Sequence, residues 1–400
     1  IKFIENRKKI KIEKNFLKEI EKKYTYFSGL NIQLMSAQAS STPYHDRFFY
    51  SNTTYKENLY WLMLNYEKTE KIINLIEPEY IFDLGTDEIQ RTIINEVANY
   101  KGLPYINFEY ARYKSIFLPT FNLGIKLENF FVNSFKDNQK TNNLDLYLKD
   151  LDNYKAQSTV ISTLYKDFLK GAYSFTIRQL IKSIILYFYK FIKSQTYYFK
   201  NNKKYYAYYS PFLSNPIKKL LWRYKGLVLK YYLYSSFNKY FSKPLDEKYV
   251  YLPLHVIPES TTFIKAPMYV SEISLIEAIS KSLPINWKLY VKEHPQMIGY
   301  RPLEFYKKIN RLHNVRLVSP EFYKDPKPWI EKSLAVVTIG GTSALEATLL
   351  NKPAIVMGNV CFNVISNIKV INSFDEFESL FRLIETNCWT KMNRIECAAY

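Results

Sequence analysis

The chain has 400 residues, too many for one ordinary core, which predicts two domains. A hydrophobic content of 47% excludes a disordered chain, and three cysteines, odd in number and without metal-ligand spacing, point to a reducing cytosol and away from a disulfide framework. The formal net charge is +19, of which residues 170 to 244 supply 15 through 15 Lys and Arg with no Asp or Glu, so the partner to expect is anionic.

Residues 1 to 30 read as charged helix, followed by a strand at "LNIQLMSA". The stretch "YKENLYWLMLNYEKTEKIINLIEPEY" reads as a helix ended by Pro78. "YIFDLG" is a short apolar strand, and "TDEIQRTIINEVANYKG" is a helix with Thr86 at its cap, Asp87 and Glu88 in its first turn and Gly102 past its end. "LPYINF" is the next strand, and strand, helix and strand with short joints predict a βαβ unit.

Residues 145 to 240 change character: helical periodicity, positive charge and tyrosine dominate. From residue 249 the alternation resumes. Strands are predicted at "KYVYLPLHV", "WKLYVKEHP", "NVRLVSP", "LAVVTIGG" and "KPAIVMG", with helices at "SEISLIEAISKSLP", "PLEFYKKINRLH", "DPKPWIEKS" and "TSALEATLLN" between them. The expected class is α/β, with two Rossmann-like doubly wound domains facing across a cleft and a basic helical insertion or linker. The expected divisions are an N-terminal α/β domain at 1–145, the basic Tyr-rich segment at 146–244, a C-terminal α/β domain at 245–385 and a tail at 386–400. Ligands of such sheets sit at the carboxyl ends of strands, so residues just after strands carry the functional reading.

Three such places stand out. In "TIGGTSALEA" a strand runs into Gly340 and Gly341, then Thr342 and Ser343, then a helix with Glu346 in its first turn. The glycines let a ligand approach the backbone, the hydroxyls and N–H groups suit a phosphate, and Glu346 suits a ribose hydroxyl. A plain turn with a Ser or Thr cap explains the same residues. In "KLYVKEHPQM" the strand delivers Lys292, Glu293 and His294, and Pro295 holds the turn. His294 suits a phosphate or acid–base work, and a structural histidine is the alternative. In "LPLHVIPESTT" Glu259 follows the strand and suits a base or nucleophile, or is a loop acid. In the N-terminal half Asp83, Asp87, Glu109 and Arg112 follow strands, and "STPYHDRFFY" groups His45, Asp46 and Arg47. The pair Asp150 and Asp152 spells a metal motif but sits in a helical pattern, where residues two apart diverge. The motifs of zincins, serine hydrolases and dithiol enzymes do not occur.

The order "PLHVIPEST", "LYVKEHP", "TIGGTSALEATLLNKPAIVMG" resembles the bacterial capsule and surface polysaccharide (including lipopolysaccharide) glycosyltransferases, which include Kdo transferases of the glycosyltransferase B fold. The resemblance is good over about 245 to 365 and weaker at 80 to 112. It implies a sugar, Kdo or a related ulosonic acid, moved from a CMP-activated donor to a surface glycan without metal or cofactor. It implies that His294 and Pro295 contact the nucleotide phosphate, with Lys292 a further candidate contact, and that Gly340, Gly341, Thr342 and Ser343 form the phosphate turn. Glu346 would lie near the ribose. Glu259 would stand at the anomeric carbon, where Kdo-transferring members often have Asp. Asp83, Asp87, Glu109 and Arg112 would lie on the acceptor side.

The partners to expect are a nucleotide sugar, a glycan or glycolipid acceptor and, through residues 170–244, an anionic membrane surface, with the protein cytoplasmic or peripheral on the inner face of the cytoplasmic membrane. No nucleic acid is expected. The alternatives are a UDP-sugar transferase or epimerase of the same architecture, and, in another class, a basic nucleic-acid-binding or non-catalytic assembly protein. No apolar run reaches 18 residues, no secretory signal is visible, and the chain begins at Ile1 without methionine, which leaves an earlier leader open.

Overall fold

The computed structural model describes residues 12–25, 30–31, 55–84, 89–111, 116–124, 126–141, 143–156, 175–200, 216–257, 262, 264–269, 271–318 and 325–400. Of the expected strand at "LNIQLMSA" the first two residues, Leu30 and Asn31, are helical and not extended, and the rest lies outside the described residues, as do His45, Asp46, Arg47 and the cap Thr86. The chain divides into two compact units, the first made of 1–106, 174–236 and 298–302 and the second of 107–173, 237–297 and 303–400. Composition places a division near residue 145, whereas packing places 107–173 with the C-terminal part: Leu118 and Phe131 pack on its core, and the Tyr400 hydroxyl donates to the Ala111 carbonyl at 2.5 Å.

In the first unit the helices Lys14–Lys23, Tyr55–Ile76 and Ile89–Tyr100 share a core of Leu17, Ile20, Leu62, Tyr66, Ile93 and Val97. The Tyr66 hydroxyl reaches the Glu96 carboxylate at 2.6 Å inside it. Strands β1 (Ile81–Phe82) and β2 (Tyr105–Tyr110) pair in parallel, Ile81 with Tyr105 and Phe82 with Ile106, as the βαβ reading expects. Gly102 ends the intervening helix with φ of 70°, a value that favours glycine. The helices Ile177–Lys200 and Pro216–Ser235 belong to this unit, so the described residues of the basic segment are mostly helical, as their periodicity predicts.

The second unit opens with the rest of β2, paired antiparallel to β3 (Phe117–Thr120). Its main sheet holds β4 (Tyr249–Pro253), β5 (Lys288–Lys292), β6 (Val315–Val318), β7 (Ala335–Thr338), β8 (Ala354–Val356) and β9 (Ile368–Val370). All six are parallel, in the order β6-β5-β4-β7-β8-β9. This is the doubly wound order of dinucleotide-binding sheets. Val250, Tyr251, Leu252, Leu289, Tyr290, Val291, Val336 and Val337 are all buried whichever way they point, because helices cover both faces. The helices Lys327–Lys332 and Ser343–Leu349 pack together beside a core that includes Tyr251, Tyr290, Trp329, Val336 and Ala344. The helix Glu272–Ser282 packs with Leu303–Asn310 and Glu376–Glu385.

Residues 386–400, expected as a tail, hold the helix Arg394–Ala399. Asn393 caps it by accepting the Ile395 N–H at 3.0 Å, and Cys397 and Ala399 are buried. Arg394 grips both oxygens of Asp152, at 3.0 and 2.8 Å, from the helix Leu144–Ala156. The Asp150–Asp152 spelling therefore sits on a helix, as its periodicity predicts.

Candidate nucleotide site

Strand order reverses between β4 and β7: the chain leaves β4 toward β5 on one side and returns to build β7 on the other. Ligands of such sheets bind at the carboxyl ends of the strands beside the switch point. "TIGGTSALEA" follows β7 at that place.

The loop after β4 brings His255 to the same place. Its Nε2 lies 3.1 Å from Thr338 Oγ1, and that oxygen accepts the Gly341 N–H at 3.0 Å. The Thr338 hydroxyl has one hydrogen and two lone pairs, so beside the Gly341 N–H it can pair with Nε2 in either tautomer of the ring. His255 and Thr338 are both buried, so this chain fixes the glycine turn in a low dielectric.

Gly341 is required by space, not by backbone angle. A Cβ there would lie 2.8 Å from Thr338 Oγ1, 3.2 Å from His255 Nε2 and 3.4 Å from Ser343 Oγ. Three polar atoms from two strand ends thus converge beside one glycine. Ser343 is 7% exposed and its Oγ has no hydrogen-bond partner among the described residues. The cap explanation of this turn does not hold: Thr342 occupies the cap position of the helix Ser343–Leu349, and its side chain makes no cap hydrogen bond. The Thr342 hydroxyl bonds the Glu346 carboxylate instead.

Glu346 and Lys292 are buried, 5% and 7% exposed, with Asp325 in electrostatic reach of both. Burial pushes the Glu346 carboxyl up to about 7, and Asp325 adds to the rise while Thr342 and Lys292 oppose it. Burial likewise lowers the Lys292 ammonium to about 8 against the pull of Asp325 and Glu346. Lys292 Nζ also lies 5.8 Å from the Trp329 ring centroid. Two residues expected at the nucleotide are therefore buried and feel each other's charge.

His294 follows β5, on the far side of β4 from the glycine turn. Its Nδ1 accepts the Gln296 N–H at 3.3 Å, so the neutral ring carries its proton on Nε2. Pro295 opens the short turn Pro295–Met297, in which the Met297 N–H donates to the His294 carbonyl at 2.8 Å. Glu293 holds the same turn from inside: one oxygen accepts the His294 N–H at 2.6 Å and the other the Tyr306 hydroxyl at 2.9 Å. The histidine that touches the glycine turn is thus His255, a residue sequence reasoning passes over. Its only signal was its place two residues past the last residue of a strand.

The remaining expected residues fall elsewhere. Glu259, Asp87 and Arg112 lie outside the described residues. Asp83, in the first unit, pairs with Arg91 and accepts the Tyr105 hydroxyl at 2.7 Å. Glu109, in the second, forms an ion pair with Lys265, beside Gly124, whose added Cβ would lie 2.7 Å from Lys265 Nζ.

No protein-family model matches the chain, and no curated protein matches it in sequence. In fold it is similar to the beta Kdo 2,7 transferase KpsC of Thermosulfurimonas dismutans, with 14% identity over 83% of this chain and 79% of that one and a TM-score of 0.36. It is similar to MnaA of S. aureus, solved with UDP, with 13% identity over 84% and 74% of the two chains and a TM-score of 0.31. It is also similar to the UDP-GlcNAc 2-epimerase of Methanocaldococcus jannaschii, with 11% identity over 87% and 81% and a TM-score of 0.31.

Proposed function

We propose that this chain is a nucleotide-sugar-dependent glycosyltransferase whose donor nucleotide binds at the carboxyl ends of β4 and β7. The observation that supports it is the convergence of Thr338, His255 and Ser343 beside Gly341 at the switch point, with the Ser343 hydroxyl nearly buried and unpaired among the described residues. The donor we favour is CMP-linked Kdo or a related ulosonic acid, on the ordered motifs that resemble the capsule and surface polysaccharide transferases. The acceptor would be a bacterial surface glycan or glycolipid reached from the inner face of the cytoplasmic membrane.

Breaking a glycosyl–phosphate bond leaves negative charge on the phosphate. Ser343 can donate to it, and the Nε2 proton of His294 can stabilise or neutralise it. Glu346 acts through the turn, since Thr342 links its carboxylate to it. Glu259 would face the anomeric carbon, stabilising an oxocarbenium-like state or trapping it covalently. None of these steps draws on a metal.

The test is turnover of CMP-Kdo and UDP-GlcNAc by wild type and His294→Ala. Release of CMP by wild type and its loss in a folded variant is the expected result. Epimerised UDP-GlcNAc with untouched CMP-Kdo would replace the transferase with an epimerase, and inertness to both would leave a non-catalytic protein.

A further inference from the structure

The helix Ile177–Lys200 shows two unlike faces. Toward its neighbour Pro216–Ser235 it turns Leu180, which is buried, and Ile184, whose carbonyl accepts the Tyr224 hydroxyl at 3.4 Å. Tyr187 lies on the same side, with the Arg223 guanidinium 5.6 Å from its ring centroid. Adjoining that contact, on the side turned to water, lie Ile177, Ile181, Ile185 and Phe188, exposed by 49%, 53%, 63% and 50%. Their spacing of four, four and three residues keeps them in one stripe. It runs for about 17 Å along the helix.

Burying the inward face would satisfy an ordinary helix. This one leaves a second apolar stripe in water, with Tyr189 exposed beside it. Exposed Arg178, Lys182 and Lys193 border the stripe, and Lys190 and Lys225 are exposed as well. Not every basic residue of the segment faces outward. Lys230 is turned in, its Nζ 5.0 Å from the Phe175 ring centroid, with burial lowering its pKa.

We propose that this stripe is a docking surface for an anionic lipid bilayer, with the helix lying in the plane of the interface. Two independent features choose that occupant. The stripe asks for hydrocarbon, and the border asks for negative charge; an anionic bilayer supplies both at one surface. Nucleic acid would answer the charge and leave the isoleucines in water. A second copy of the helix would cover the isoleucines but set two segments of like charge together, because residues 170 to 244 contain no carboxylate side chain to offset 15 basic ones. The nucleotide site is built from other elements, so this inference stands or falls without it.

The experiment is co-sedimentation of the full chain with phosphatidylcholine vesicles and with vesicles containing phosphatidylglycerol. A variant carrying Ile181→Ser, Ile185→Ser and Phe188→Ser removes the stripe, and one carrying Arg178→Gln, Lys182→Gln and Lys193→Gln removes the border. Every altered side chain is exposed, and circular dichroism checks the fold. Wild type should bind the anionic vesicles at least tenfold better than the neutral ones. The stripe variant should lose at least tenfold in partition to anionic vesicles. The border variant should lose its preference for them, by about fivefold per charge removed. Equal binding to both vesicles, unchanged binding by the stripe variant, or tighter binding to a random oligonucleotide than to anionic vesicles would each overturn the proposal.

Discussion

His255 and Thr338 join the ends of two neighbouring strands: His255 Nε2 lies 3.1 Å from Thr338 Oγ1, which in turn accepts the Gly341 N–H at 3.0 Å. A turn held this way is set before any ligand arrives. Thr338→Val keeps the shape and removes the link. It should cost about 1 kcal/mol of stability. Nucleotide affinity should fall about tenfold, read by calorimetry, and an unchanged affinity would show that the turn needs no latch.

Gly341→Ala should be more severe for binding. The new methyl would sit 2.8 Å from Thr338 Oγ1 and 3.2 Å from His255 Nε2, two buried groups with little room to retreat. The expected result is a folded protein whose nucleotide affinity is down by more than tenfold. Binding at wild-type strength would place the ligand elsewhere.

Glu346 gives stability a pH dependence with a definite sign. Its carboxyl is raised to about 7 in the folded chain from an ordinary 4.5, so between those values the native state holds a proton that the unfolded state has lost. Stability must then fall as pH rises through that window, by up to about 3 kcal/mol. Lys292, lowered to about 8, stays protonated in both states there and does not reverse the sign. Glu346→Gln should flatten the slope between pH 5 and 7 in urea denaturation. A slope that survives the substitution would assign it to another group.

Much of the main sheet is legible in the sequence because its strands are apolar runs closed by Gly or Pro and buried on both faces. Tyr249–Pro253, Lys288–Lys292, Val315–Val318, Ala335–Thr338 and Ala354–Val356 all read correctly. Strand β9 is three residues long and carries no period. The helix Glu376–Glu385 does carry one, in Phe377, Phe381 and Ile384. The glycine turn was legible from its residue types. His255 was not, because its partner Thr338 is 83 residues away and only the pairing of β4 with β7 brings them together. Nor was the burial of Lys292 and Glu346: alternation along a strand says which way a side chain points, not how deep it ends. Glu293 found its explanation only in three dimensions, through Tyr306.

The pair of the half-buried Glu109 and the buried Lys265 separates a structural role from an acceptor role. Their side chains are 16% and 5% exposed, so Lys265→Met leaves a half-buried carboxylate without this partner. The cost should be about 1 to 2 kcal/mol, below that of a fully buried pair. Adding Glu109→Gln should recover most of it. If Glu109 instead serves the acceptor, the double variant will regain stability and still lack transfer.

Every role given to the glycine turn requires a nucleotide at the switch point between β4 and β7. Thermal shift of wild type and Gly341→Ala with CMP, UDP, GDP and ADP tests it most directly. CMP should raise the melting temperature of wild type and leave the variant unmoved. A shift by UDP or GDP alone would refute the CMP-linked donor, and no shift by any nucleotide, or an equal shift in the variant, would contradict the site itself.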